Sequence, residues 1–157
     1  MKRNRLFALL LTGILSLSLL AACGKKDDAK EIDIPALWTT ITEKVELPDL
    51  MELDDTTLKD IYGIDPADLE SYTARIPFMN VQATEFFIAK VKEGQLDAVK
   101  EAISKRQAAL DEQWSQYLPD QYELVKNYKL ETVGNYVLFC VCAKADDVVK
   151  LFTDAAK

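Results

Sequence analysis

Apolar positions along this chain fall into three patterns. From Leu6 to Leu20 they form an almost unbroken run. Over 34–62, 95–117 and 145–156 they recur at three- and four-residue steps, the spacing of helices that bury one face. Between those stretches they alternate with polar residues or form short aromatic and β-branched blocks, the pattern of strands.

Leu37, Trp38, Ile41 and Val45 predict a first short helix, started by Asp33 and Pro35 and stopped at Leu47-Pro48. A second runs from about Asp54 to Tyr62, with Leu58, Ile61 and Tyr62 on one side, and ends at Gly63. Asp65-Pro66-Ala67-Asp68 opens one more turn. In 71–76, Tyr72, Ala74 and Ile76 alternate with Ser71, Thr73 and Arg75, which predicts a strand ended by Pro77. The loop 78–83 leads to a second strand over 84–91, closed by Gly94. Leu96, Val99, Ile103, Leu110, Trp114 and Tyr117 mark the longest helix, 95–117, halted by Leu118-Pro119. Asp120 caps a further turn to Val125. A third strand, 128–133, and a fourth, 136–142, flank the hairpin signal Gly134-Asn135. The fourth is apolar on both faces, which predicts a mid-sheet position covered on both sides. A last helix spans 145–156.

This order predicts an α+β fold: two short N-terminal helices, then ββα-ββα. The expected sheet is four-stranded and mainly antiparallel, with the two long helices packed on one face and the short ones over part of the other. Residues 34–157 suffice for a single domain.

The leading run changes the picture. Lys2, Arg3 and Arg5 precede a mainly apolar run of 15 residues, too short for a helical membrane span of about 20. The layout is that of a secretory signal. Leu20-Ala21-Ala22-Cys23, followed by Gly24, resembles the bacterial lipobox. That resemblance implies a signal peptide over 1–22, a diacylglyceryl group on Cys23, and a protein held at the extracytoplasmic face of the bacterial cell membrane. Two acyl chains anchor stably where one holds only marginally. The polar stretch 24–33 then reads as a flexible tether.

Charge narrows the partners. Cleavage before Cys23 removes three of the 19 basic residues and none of the 26 acidic ones, for a net charge of −10. A polyanion is repelled by nucleic acid, so none is expected as a partner. The membrane is reached through the lipid on Cys23, and an envelope protein is the expected macromolecular partner.

The chain has no histidine. That removes His-activated Ser or Cys nucleophiles and His-ligated zinc. No cofactor is expected. Cys140 and Cys142, two apart on a predicted strand, share a face and are poorly placed for an unstrained disulfide. They read either as buried small apolar residues or as a redox or metal pair. Asp54, Asp55, Asp65 and Asp68 lack EF-hand spacing and read as helix caps and first-turn acids. Candidate contact residues lie at loop ends: Asn80, Gln82, Tyr117, Gln121 and Tyr122. Each has a structural alternative, as a turn cap or a seal between helix end and sheet. An enzyme would have to work with carboxylates alone, as glycoside hydrolases do, with Glu85, Asp120 and Glu123 the nominees. A two-lobed solute-binding protein needs a longer chain.

Four stretches complete a resemblance: Glu52-Leu53-Asp54-Asp55 leading to Ile61-Tyr62-Gly63-Ile64-Asp65; Met79-Asn80-Val81; Tyr117-Leu118-Pro119-Asp120-Gln121-Tyr122-Glu123; and Gly134-Asn135-Tyr136-Val137. Behind a lipobox and in this order, over roughly 35–155, they resemble a family of small lipoproteins of clostridia-like Gram-positive bacteria that carries a domain of unknown function. The resemblance implies location and no activity, and it transfers no catalytic or binding residue.

Overall fold

Two segments, 85–91 and 136–141, carry apolar side chains on both faces, so each must be covered twice. A computed structural model describes residues 30–157. In chain order the elements are α1 (Ile34–Lys44), β1 (Leu50–Glu52), α2 (Asp55–Tyr62), a 3-10 turn (Pro66–Asp68), β2 (Leu69–Pro77), β3 (Glu85–Val91), α3 (Leu96–Trp114), α4 (Pro119–Lys126), β4 (Lys129–Val133), β5 (Tyr136–Val141) and α5 (Ala145–Ala155). The leader, Cys23 and tether residues 23–29 lie outside the described residues.

The strands form one antiparallel sheet in the order β1-β2-β3-β5-β4, with the doubly apolar β3 and β5 side by side near its centre. One face packs against α2, α3 and α4 through Phe87, Ala89, Val91, Val137, Phe139 and Val141. The other packs against α1 and α5 through Phe86, Ile88, Leu138, Cys140 and Cys142. Each fully buried Phe, Leu or Ile contributes about 1.5–3 kcal/mol.

The mixed α+β class stands, with three corrections to the expected layout. The sheet has five strands: Leu50–Glu52 adds an edge strand, pairing Met51 with Ile76. Three residues after Pro48 are too few to show alternation. The long helices α3 and α5 lie on opposite faces, and the short helices α1 and α2 are likewise divided between them. A stripe shows that a helix is covered, not which face of the sheet covers it, but two doubly apolar strands side by side require cover from both. Finally, 119–126 forms a two-turn helix whose N-cap is Leu118, with Pro119 as first helical residue and Asp120 in the first turn.

Residues 30–33, expected at the end of the tether, are fixed to the domain. The Lys30 amide donates to the Ala156 carbonyl at 3.0 Å and the Ile32 amide to the Tyr136 hydroxyl at 3.1 Å. Ile32 is buried.

The acidic residues of 54–68 act as caps. Asp54 Oδ1 accepts from the Thr57 amide at 2.8 Å, and Asp65 Oδ1 from the Ala67 amide at 3.0 Å. Those bonds hold both carboxyls below their ordinary values. Gly63 closes α2 at φ 68°, where a Cβ would be strained. Among the described residues no group of three or more Cys, Asp or Glu could hold a metal ion, and no helix is long and apolar enough to cross a membrane.

Candidate functional site

On β3, Glu85 shares the inward face with Phe87, Ala89 and Val91. On α3, Arg106 falls between Ile103 and Leu110, where the stripe of Val99, Ile103, Leu110 and Trp114 calls for an apolar residue. Two charges on two buried faces require each other, and they meet. Arg106 Nε and Nη2 donate to Glu85 Oε1 and Oε2, both at 2.8 Å, in a bidentate pair. The Glu85 side chain is 1% exposed and that of Arg106 19%. Burial alone would lower the guanidinium pKa; the bonds and charge of Glu85 outweigh it and hold Arg106 above its ordinary value.

Two further polar groups lie in this layer without hydrogen-bond partners. They are the Tyr62 hydroxyl and Trp114 Nε1, both buried. Arg106 lies over the Tyr62 ring, 5.8 Å from its centroid. Burial first, then the nearby Glu85 carboxylate, pushes the Tyr62 phenol well above its ordinary value. No hydrogen bond of ordinary geometry links the two.

Above the pair opens a pocket of about 250 Å³. Glu85, Arg106, Leu110, Gln113 and Trp114 line it from β3 and α3, and Ile76 to Asn80, Gln82 and Ala83 from the end of β2 and the loop after it. Around its mouth stand Phe78 and Met79, 72% and 63% exposed, with Val81 also open to solvent. The chain past α3 adds exposed Tyr117 and Leu118, and the Tyr117 ring packs 5.7 Å from that of Trp114. Leu118 has φ 43°, a strained conformation for a side chain of its size. Its carbonyl accepts from the Gln121 and Tyr122 amides, which holds it there.

Of the contact residues expected from sequence, Asn80 and Gln82 line the pocket. Gln121 ties α4 to the same loop, its Oε1 accepting from the buried Ala83 amide at 2.9 Å. Tyr117 stands beside Trp114. Tyr122 turns instead to α3, donating to Asp111 Oδ1 at 3.1 Å, which raises its phenol pKa. Arg106, Phe78 and Met79 were not among the expected residues. Arg106 was legible as a charge on an apolar stripe; the exposure of Phe78 and Met79 had no signal beyond their place in a loop.

The three nominated carboxylates do not converge. Only Glu85 lines the pocket, and Arg106 already engages both its oxygens. Asp120 is exposed in the first turn of α4, and Glu123 pairs with Lys126. Cys140 and Cys142 are buried side by side on the α1/α5 face as free thiols, the packing arrangement. The neighbouring Cys142 sulfur, then burial, hold the Cys140 thiol up.

Residues 43–142 match the family described as Domain of unknown function (DUF4358), so the chain belongs to that family. The match runs from the last turn of α1 through β5, inside the 35–155 span of the resemblance. No curated protein and no solved structure matches the chain.

Proposed function

We propose that this DUF4358 member is a lipoprotein of the bacterial envelope. In this reading it is anchored through Cys23 at the extracytoplasmic face and acts as a non-enzymatic binding module. The observation that carries the reading is Leu20-Ala21-Ala22-Cys23 behind a basic segment and a mainly apolar run of 15 residues. The binding role draws support from the tip of the domain, where an open pocket is ringed by exposed apolar side chains. The bidentate bond that occupies Glu85, and the absence of histidine from the chain, leave the pocket without a free general base of the usual kinds.

Cys23→Ser tests the anchor. The wild-type chain, expressed in a bacterium with lipoprotein processing, is expected to start at Cys23, carry the mass of a diacylglyceryl group and partition into detergent. Cys23→Ser is expected to remain an unlipidated precursor. A wild-type protein with no lipid on Cys23 would overturn the reading.

A further inference from the structure

We propose that the pocket and the apolar rim around it dock an uncharged, apolar peptide segment of a second envelope protein, on the end of the domain farther from the anchor. The inference rests on the anchored-binding reading above and adds the site, its orientation and the chemistry of its partner.

Two neutral stretches form the rim of the pocket in a chain where 29% of residues are charged, with the Glu85–Arg106 pair beneath them and Asp120 beside them. Neither 77–84 (PFMNVQAT) nor 113–119 (QWSQYLP) contains an ionisable acid or base apart from the Tyr117 phenol. The Ala83–Gln121 bond and the contact of Tyr117 with Trp114 join the two stretches into one surface. Exposed apolar side chains gathered in one place mark an interaction site. These two stretches offer a charged partner no ion pair, whereas a neutral apolar one gains its full burial.

The pocket supplies the polar half of recognition. Trp114, 2% exposed, forms part of its buried wall. Arg106 uses Nε and Nη2 on Glu85, so Nη1 takes no part in that pair. The side-chain amides of Asn80, Gln82 and Gln113 stand around the opening. Donors and amides beside an apolar cavity suit a peptide: one side chain fills the cavity while backbone carbonyls and amides meet the polar groups. The volume of about 250 Å³ lies below the roughly 300–1,000 Å³ of enclosed small-molecule sites and fits a side-chain anchor better.

Strand direction decides between a protein and the lipid surface. The chain enters the domain beside Lys90 and Tyr136, where Glu31 pairs with Lys90 and Ile32 bonds Tyr136. The pocket lies at the other end of β3, beside Glu85. Seven residues at about 3.3 Å each put roughly 20 Å between the two ends. With six residues between Cys23 and Lys30, an anchor at Cys23 keeps the entry end close to the bilayer and leaves the tip the end farther from the anchor. A second copy in the same membrane faces the same way, so the two tips do not meet head to head.

The test is crosslinking of the full chain in its host, with a photoreactive amino acid at Phe78 or Met79 and, as control, at Lys157 beside the entry end. The expected result is a protein adduct from 78 and 79 and none from 157. Sequencing of the adduct should place the bond in an uncharged apolar stretch of a different extracytoplasmic protein. Gln113→Trp, which crowds the pocket from an exposed position, should cut the adduct at least tenfold without changing the melting temperature, and Gln113→Ala should retain it. Adducts with phospholipid, with a second copy of this chain, with a charged stretch, or equally from 157 would overturn the proposal. A tip adduct on protein without lipid would keep the docking site and remove the anchor; lipidated protein without a tip adduct would remove the docking site alone.

Discussion

On the α1/α5 face of the sheet, the buried layer holds mostly hydrocarbon, with two thiols, one phenol whose hydroxyl accepts from the Ile32 amide, and the Thr73 hydroxyl, which accepts from Arg75. At the same depth on the α2/α3/α4 face lie a carboxylate, a guanidinium, and a phenol and an indole without partners. Both faces exclude water from the central strands. Polar groups lie on both, but only the second buries an ion pair, and it does so where the layer opens at the end of β3. The α1/α5 face is held without a buried ion pair: the acid that Arg75 meets there, Glu52, is 60% exposed. A buried ion pair is a poor device for stability, because desolvation offsets most of its attraction. The polar cluster is therefore better explained by the pocket above it than by the fold around it.

The largest test of that contrast compares one truncation from each face. Phe152→Ala, a fully buried side chain of α5, should cost about 3–5 kcal/mol by cavity formation. Arg106→Ala should cost a similar amount, about 3–5 kcal/mol, for a different reason: it strands the buried Glu85 carboxylate. A double variant separates the causes. Glu85→Leu with Arg106→Met should bring stability back to the wild-type level or above it by about 1–4 kcal/mol. Denaturant unfolding of the three proteins reads all of this. An Arg106→Ala protein less than about 1 kcal/mol below wild type would show that the pair is not buried in solution, and the contrast between the faces would fall.

A smaller effect is expected at Tyr62. Its hydroxyl is buried without a partner, so Tyr62→Phe should be neutral or stabilise by up to about 1 kcal/mol at pH 7. A loss of about 1 kcal/mol would mean that the hydroxyl has a bonded partner in solution. The same variant carries a pH signature. The folded phenol is raised well above its unfolded value near 10, by burial and by Glu85. A raised group contributes stability that is fully present below the unfolded value and lost as pH rises beyond it. Wild type should thus weaken above about pH 10, a fall shared with Tyr72 and Tyr122, whose phenols are also raised. Tyr62→Phe should make that fall shallower.

The sequence makes some of this legible and not the rest. The helices α1, α2, α3 and α5 and the strands β2 to β5 each carry enough residues for a period, and Gly134-Asn135 fixes the β4–β5 hairpin at Val133↔Tyr136. The edge strand β1 has three residues and no period. The division of helices between faces is a tertiary choice that a stripe does not encode, though β3 and β5 together required it. The buried pair was legible in principle: Glu85 and Arg106 each interrupt an apolar face, and such interruptions are satisfied by one another. Which loop residues stand out into solvent was not legible. Phe78, Met79 and the buried Ala83 belong to one short uncharged loop, and only the bond from Ala83 to Gln121 distinguishes the anchored end from the free one.

The smallest expected effect on stability tests the opposite side of the contrast. Phe78 and Met79 carry large apolar surfaces that folding leaves exposed, so Phe78→Ser with Met79→Ser should leave the unfolding free energy within about 0.5 kcal/mol of wild type. An apolar side chain that contributes to the fold is costly to remove; one that contributes to recognition is not, until a partner is present. Circular dichroism melts of the double variant and wild type decide the matter directly. A matched melting temperature assigns these side chains to a surface held open by the rest of the domain. A loss of 2 kcal/mol or more would close the loop onto the pocket in solution, with Phe78 and Met79 as part of the core.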